Sequence, residues 1–240
     1  MRLRATAGLL GWIGAFALAA SSASAMTITL DVLGGASATV VNPLGTLVNS
    51  GDTSTWTLDE AVVIEGITLD SWSATFKEDP YVTNNIVVTN NTAFTQTFVA
   101  TVLLPIPAFN YDEVINSSIG VTTTDSNGNN VLSFAMSGAT PIYQGTVNGS
   151  TVLSLNPPGL PLTTASCPFP FPGCTATSAT GTASLPVTPG VANQIGITLT
   201  FTLSAGDSAG ITSRFEVVPE PGTATLLGLG LVMLAVARRR

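Results

Sequence analysis

Histidine is absent from all 240 residues. Without an imidazole the chain lacks the usual general base at neutral pH and the commonest nitrogen ligand for a metal. Positive charge is almost as scarce, because only Lys77 and Arg214 are basic between Thr27 and Val218. Thirteen acidic residues share that stretch, giving a formal charge of −11. Such a surface repels nucleic acid and anionic lipid, so neither is expected as a partner. Charged residues make up 9% of the chain against 45% hydrophobic ones, a balance that excludes general disorder. With only two cysteines there is no disulfide framework. A sustained 3.6-residue apolar period is also missing before the final segment, so helices are not expected in the body of the chain.

What is present begins with two apolar ends. Arg2 and Arg4 precede an apolar stretch from Leu9 to Ala20 and a small-residue run from Ser21 to Ala25. That order predicts a secretory signal peptide over residues 1–25, with Ala23 and Ala25 at the minus-three and minus-one positions of the cleavage site. The last 24 residues place Val217-Val218-Pro219-Glu220-Pro221-Gly222 before an apolar stretch from Thr223 to Ala237, then Arg238, Arg239 and Arg240. A single transmembrane helix there would rise about 22 Å at ~1.5 Å per residue. Snorkelling arginines make up the difference from a hydrocarbon layer of ~30 Å. The arginines act as a membrane stop on the cytoplasmic side, leaving everything before Pro219 outside.

These features, Pro219-Glu220-Pro221, a Leu/Gly-rich apolar segment and terminal arginines behind a signal peptide, resemble the tail of PEP-CTERM proteins of Gram-negative bacteria and their relatives. The resemblance covers about a tenth of the chain. It implies recognition of the Pro219-Glu220-Pro221 motif by a membrane-embedded exosortase and removal of the helix near that motif. Delivery to the cell surface or an exopolysaccharide matrix would follow.

Between the ends, residues 26–216 alternate apolar and hydroxyl side chains, the period-two signature of strands with one buried face. Strands are predicted at Thr27 to Leu33, Thr55 to Leu58, Ala61 to Phe76 with a bulge near Gly66, Ile86 to Thr89, and Phe94 to Leu104. Ile195 to Leu203 and Ile211 to Val217 are predicted to form a hairpin around the loop from Ser204 to Gly210. Asn148-Gly149 and Asn127-Gly128 signal two more hairpins, since Asn-Gly supplies the positive φ angles of a type I′ turn. Residues 157–189, rich in Pro, Thr, Ser and Ala, read as an extended surface excursion or, equally, as a boundary between two sub-domains. Many short strands without intervening helices predict an all-β, antiparallel β-sandwich. Ile86 to Asn91 followed by Phe94 to Val102 resembles a strand pair of bacterial immunoglobulin-like modules.

Several motifs bear on chemistry. Cys167 and Cys174 bracket six residues, three of them proline, and are expected to close a small disulfide loop in an exported protein. Gly206-Asp207-Ser208-Ala209-Gly210 matches the Gly-x-Ser-x-Gly pattern of serine hydrolases. That chemistry needs a base and a strand-to-helix elbow, neither of which the sequence supplies. Asp125-Ser126-Asn127-Gly128-Asn129 opens like a calcium loop, yet Asn130 stands where glycine belongs and Met136 where a bidentate glutamate belongs. The acidic pairs Asp59-Glu60, Glu78-Asp79 and Asp112-Glu113 read as solvated loop charges, and Trp56 and Trp72 as core. No catalytic residue, metal or cofactor is expected. The leading expectation is therefore a non-catalytic surface or matrix protein. A carbohydrate-binding module that holds exopolysaccharide is the alternative, marked by exposed aromatics; a carboxylate-dependent hydrolase is the third, marked by two acids in one cleft.

Overall fold

The computed structural model describes residues 26–33, 44–77, 80–108, 113–125, 127, 133–163, 174–187 and 190–219. Among these the chain forms fifteen strands and no α-helix. In order they are β1 (Thr27–Leu33), β2 (Gly45–Ser50), β3 (Thr53–Leu58), β4 (Val62–Ile64) and β5 (Ile67–Lys77). Then come β6 (Tyr81–Asn90), β7 (Gln96–Pro105), β8 (Glu113–Asp125), β9 (Ser133–Ala135) and β10 (Tyr143–Val147). The last five are β11 (Ser150–Leu155), β12 (Leu162–Thr163), β13 (Cys174–Val187), β14 (Gln194–Leu203) and β15 (Ser208–Pro219).

They form two antiparallel sheets. One runs β1-β7-β14-β10-β11, with β9 pairing both β14 and β12; the other runs β13-β8-β15-β6-β5-β3-β2, with β4 on β5. Period-two burial is clear on β15, where Ala209, Ile211, Ser213, Phe215 and Val217 face inward. The outward faces carry hydroxyls in rows. Thr182, Ser118, Arg214, Thr83, Thr75 and Thr55 stand side by side across six strands, and Thr180, Gly120, Thr212, Asn85, Ser73 and Thr57 form the adjacent row.

The Asn148-Gly149 hairpin joins β10 to β11, with φ of 53° at Asn148 and 79° at Gly149 and register Val147↔Ser150. The Asn148 carboxamide oxygen also accepts from the amides of Ala192 and Asn193, at 2.7 and 3.1 Å, so the turn braces the chain that enters β14.

Four expectations need correction. The segments at 195–203 and 211–217 are strands, but β14 belongs to the first sheet and β15 to the second, so the connection crosses between layers. Asn127 lies likewise on a crossing, from β8 in the second sheet to β9 in the first, rather than in a hairpin. Gly66 marks a two-residue turn, not a bulge: Glu65 and Gly66 both have positive φ, and Ile64 pairs Ile67. The register shift in β5 falls between Leu69 and Ser71. Finally, the presumed excursion over 157–189 contains β13, fourteen residues that pair along β8. Its Pro186 fits because β13 is an edge strand, where a missing amide proton breaks no interior ladder.

Inward side chains from both sheets build one hydrophobic cluster. Phe201 stacks between Phe98 and Phe134 at centroid distances of 5.1 and 5.0 Å, while Trp56 meets Trp72 edge-on at 6.0 Å. The Phe215 ring of β15 lies directly against the backbone of β10. A side-chain carbon on Gly145 would fall 2.5 Å from the Phe215 ring, so glycine there lets the ring rest on bare backbone. Beside it Tyr143 Oη donates to the Arg214 carbonyl at 2.9 Å and lies 3.2 Å from Ser117 Oγ. Within the second sheet the Trp72 indole donates to Asn84 Oδ1, and the Asn84 amide to Ser213 Oγ at 3.3 Å.

Burial pushes the Tyr143 phenol well above its ordinary value, with the Ser117 contact opposing part of the rise. A raised folded value means that the contribution to stability is complete below the unfolded value of about 10 and is lost as pH rises toward the folded one. Stability should therefore fall above about pH 10. Tyr143→Phe should remove that extra alkaline loss while costing about 1–2 kcal/mol at neutral pH, by deleting the buried hydrogen bond from the phenol to the Arg214 carbonyl. Urea unfolding of both proteins from pH 7 to pH 11.5 measures the difference; parallel curves would contradict it.

Candidate functional site

The predicted sorting tail meets the folded domain at the end of β15. This strand lies inside its sheet, bonded to β6 from Ser208 to Glu216 and to β8 from Ser208 to Pro219. Val217 is 2% exposed, and its amide donates to the Pro80 carbonyl at 2.9 Å. Val218 pairs Val114 and Pro219 pairs Glu113, so pairing continues up to the proline itself. Proline is tolerated there because it is the last residue of the strand, beyond the end of the β6 ladder at Glu216, so its missing amide proton interrupts no interior pairing.

Residues 217–240 match the model of the PEP-CTERM protein-sorting motif. The chain carries a PEP-CTERM sorting signal. Its presence marks an exported protein with a membrane-anchored sorting signal that an exosortase processes. Three residues of the PEP-CTERM match, Val217, Val218 and Pro219, are at the same time the end of a structural strand. Glu220, Pro221 and the arginines at 238–240 lie outside the described residues, as do Ala23 and Ala25 of the expected signal cleavage site. No curated protein matches the chain.

The other motifs disperse over the fold. Gly206 to Gly210 spans the crossing from β14 to β15, with Gly206 at φ 75° and Ser208 already paired to Thr89 and Thr124. It is a strand entry, with none of the strand-to-helix geometry that exposes a nucleophile. Asp59 and Glu60 are exposed after β3, and Glu113 opens β8. Glu78, Asp79 and Asp112 lie outside the described residues. Asp52 is held by Lys77 at 3.1 Å, a contact that, with the Thr53 hydroxyl, lowers its carboxyl below the ordinary value. Glu216 is held by Arg214 at 2.7 Å. Trp56 and Trp72 are buried, as expected. Cys174 opens β13, whereas Cys167 lies outside the described residues. Among the described residues no three of Cys, Asp or Glu are grouped to hold a metal ion.

One constellation escaped the sequence reading. Asp125, the last residue of β8, and Asp207, in the connection just before β15, are both fully buried at one end of the second sheet, together with Asn90 and Ser204. Ser204 Oγ donates to Asp207 Oδ2, and the Asn90 amide donates to the Asp207 carbonyl at 2.8 Å. The Asn90 side-chain amide serves the carbonyls of Phe94, Leu203 and Ser204 at 2.9 to 3.0 Å. Asn127 Nδ2 donates to the Ala205 carbonyl at 3.0 Å, pinning one crossing to the other. These bonds fix the loops that change layers. A hint was available: asparagine and aspartate at strand ends often bond nearby backbone.

Cutting the chain before Val217 would require pulling a buried, doubly bonded strand out of the sheet. The mature C-terminus is therefore expected at Pro219 or later. Intact-mass measurement of the processed protein tests this, and a terminus upstream of Pro219 would contradict it.

Proposed function

We propose that the chain is a non-catalytic protein of the cell surface or extracellular matrix, in which a β-sandwich is displayed after exosortase removes the tail. One observation carries the reading: the sorting motif is continuous with the last structural strand, so the folded body is the cargo and has no separate stalk before the tail. The expected signal cleavage after Ala25 fits the same plan. It leaves Met26 one residue before β1, where Ile28 is already fully buried. In this scheme the body folds in the periplasm while the terminal arginines hold it at the inner membrane, and it moves outward once cut. A Cys167 to Cys174 disulfide would form in the same oxidising compartment.

Two experiments test the ends. Protein recovered from cells should begin at or next to Met26; an N-terminus at Met1 refutes the signal peptide. Glu220→Ala leaves the apolar stretch and Arg238 to Arg240 unchanged, so a passive anchor would behave as wild type. An exosortase substrate should instead accumulate at full length in the inner membrane. Mass spectrometry of the C-terminal peptide separates the two, and an intact Arg240 on surface-located wild-type protein overturns the sorting scheme.

A further inference from the structure

A sheet edge offers a row of backbone amides and carbonyls to any strand that reaches it, and folded proteins block such edges with a charge, a proline, a bulge or extreme shortness. Among the described residues every edge strand but one carries such a device. β1 has Asp31, and β11 shifts register against β10. β12 is two residues long and β4 three, while β13 contains Pro186 and a register shift. β2 has none of these. Its sequence, Gly-Thr-Leu-Val-Asn-Ser, is uncharged and free of proline, and it pairs β3 through all six residues without a shift.

The strand is also held firmly enough to act as a template. A side-chain carbon on Gly45 would collide with the ring of buried Trp56, so the backbone of β2 rests on that indole. Near the other end Asn49 Oδ1 accepts from Ser54 Oγ at 2.7 Å. Leu47 pairs Trp56 and shares its inward face, yet it is half exposed, because the opposite sheet does not cover it. Val48, on the outward face in line with Thr55 and Thr75, is more exposed still.

An occupant of this edge has to be a strand, uncharged where it meets β2 and apolar at its middle. A second β2 meets each requirement. Antiparallel pairing of two identical edges is closed by a two-fold axis normal to the sheet. Inward residues then oppose inward ones, so the axis falls at Leu47 or at Val48 and sets that residue against its own copy. Both exposed apolar side chains are covered together, with Thr46, Asn49 and Ser50 around them. Paired copies have no unblocked edge left among the described residues, so growth stops at two. A contact one strand long, about 20 Å, is small beside the ~1,200 Å² of a stable interface, and the −11 charge between Thr27 and Val218 repels the copies. The dimer is therefore weak, and salt strengthens it by screening.

We propose that β2 is a self-association edge, through which two copies of this chain join their second sheets into one continuous antiparallel sheet. The pairing needs neither export nor sorting, so failure of the sorting scheme leaves it standing. Display at a surface would crowd the copies and favour it.

The test is sedimentation equilibrium of mature protein taken from cells, over a wide range of concentration. A monomer–dimer equilibrium that tightens as salt is added is expected. Val48→Lys and Leu47→Glu should each weaken the dimer about tenfold or more, because a charge then faces its own copy near the axis. Their opposite signs separate a blocked edge from a change in net charge. Both positions are exposed, and thermal melts check folding. Of Leu47→Cys and Val48→Cys, the one at the axis should cross-link to itself on mild oxidation, whereas Leu185→Cys on β13 should not. Mass spectrometry of the linked peptide reads this, and it decides the matter if a charged variant unfolds. A monomer at every concentration, a dimer that salt dissolves or that either folded charge variant leaves unchanged, open-ended polymers, or no self-linked peptide from position 47 or 48 overturns the proposal.

Discussion

The two sheets are pressed together at the contact between the Phe215 ring and the bare backbone of Gly145, where no side-chain carbon fits. Any side chain at position 145 would collide with the ring, and the adjoining bond from Tyr143 to the Arg214 carbonyl would then lose its reach. Both partners sit on interior strands, β10 beside β14 and β15 between β6 and β8. β15 and its two neighbours also bury polar groups, Ser117 and the Asn84 to Ser213 bond among them. Polar groups at such depth are tolerated because they are paired across or along the layers.

Strand positions were largely legible in the sequence, and strand partners were not. Alternation along Ile195 to Leu203 and Ile211 to Val217 reports that one face of each is buried, and both were found as strands. It is silent on which neighbour supplies the ladder, and a four-residue connection serves a hairpin or a crossing equally well. Here the crossing prevails because Ser204, Asp207 and Asn90 satisfy the exposed backbone of the bend. The same limit applied at Asn127, which the Asn-Gly sequence assigns to a tight turn but which lies on a passage between layers. At Asn148-Gly149 the promise was kept, since strands on both sides were long enough to pair. β13 was missed because prolines and small residues around it dilute the apolar signal, and an edge strand needs little of that signal to pair. The sorting motif, by contrast, could be read from order and composition alone, as could its start at the end of a strand; the extension of β15 as far as Pro219 could not.

The acidity of the chain and the hydroxyl-rich outer rows are two answers to one requirement. An exported β-protein must stay soluble while presenting flat sheet faces, and charge is the usual means. Here the acids lie mostly at turns and strand ends, while the second sheet's outer face is wetted by threonine, serine and asparagine. Neighbouring hydroxyls can bond one another, as Thr55 and Thr75 do at 3.3 Å, so the face needs no long side chains to be ordered. The edge strand β2 departs from this plan, with Leu47 and Val48 at 49% and 60% exposure and no charge along its length.

The exit of the tail from an interior strand also decides how the protein answers to tension. In the proposed surface display, drag on the C-terminus would pass through the strand that ends there, β15. Pulling on β15 along its own axis shears it past β6 and β8 together, so that bonds on both flanks must yield nearly at once. A terminus leaving from an edge such as β2 or β13 would let the sheet peel one pair at a time. Resistance of that kind is governed by the rate of unfolding rather than by equilibrium stability, and it comes at no cost in sequence beyond the order in which the strands were laid down.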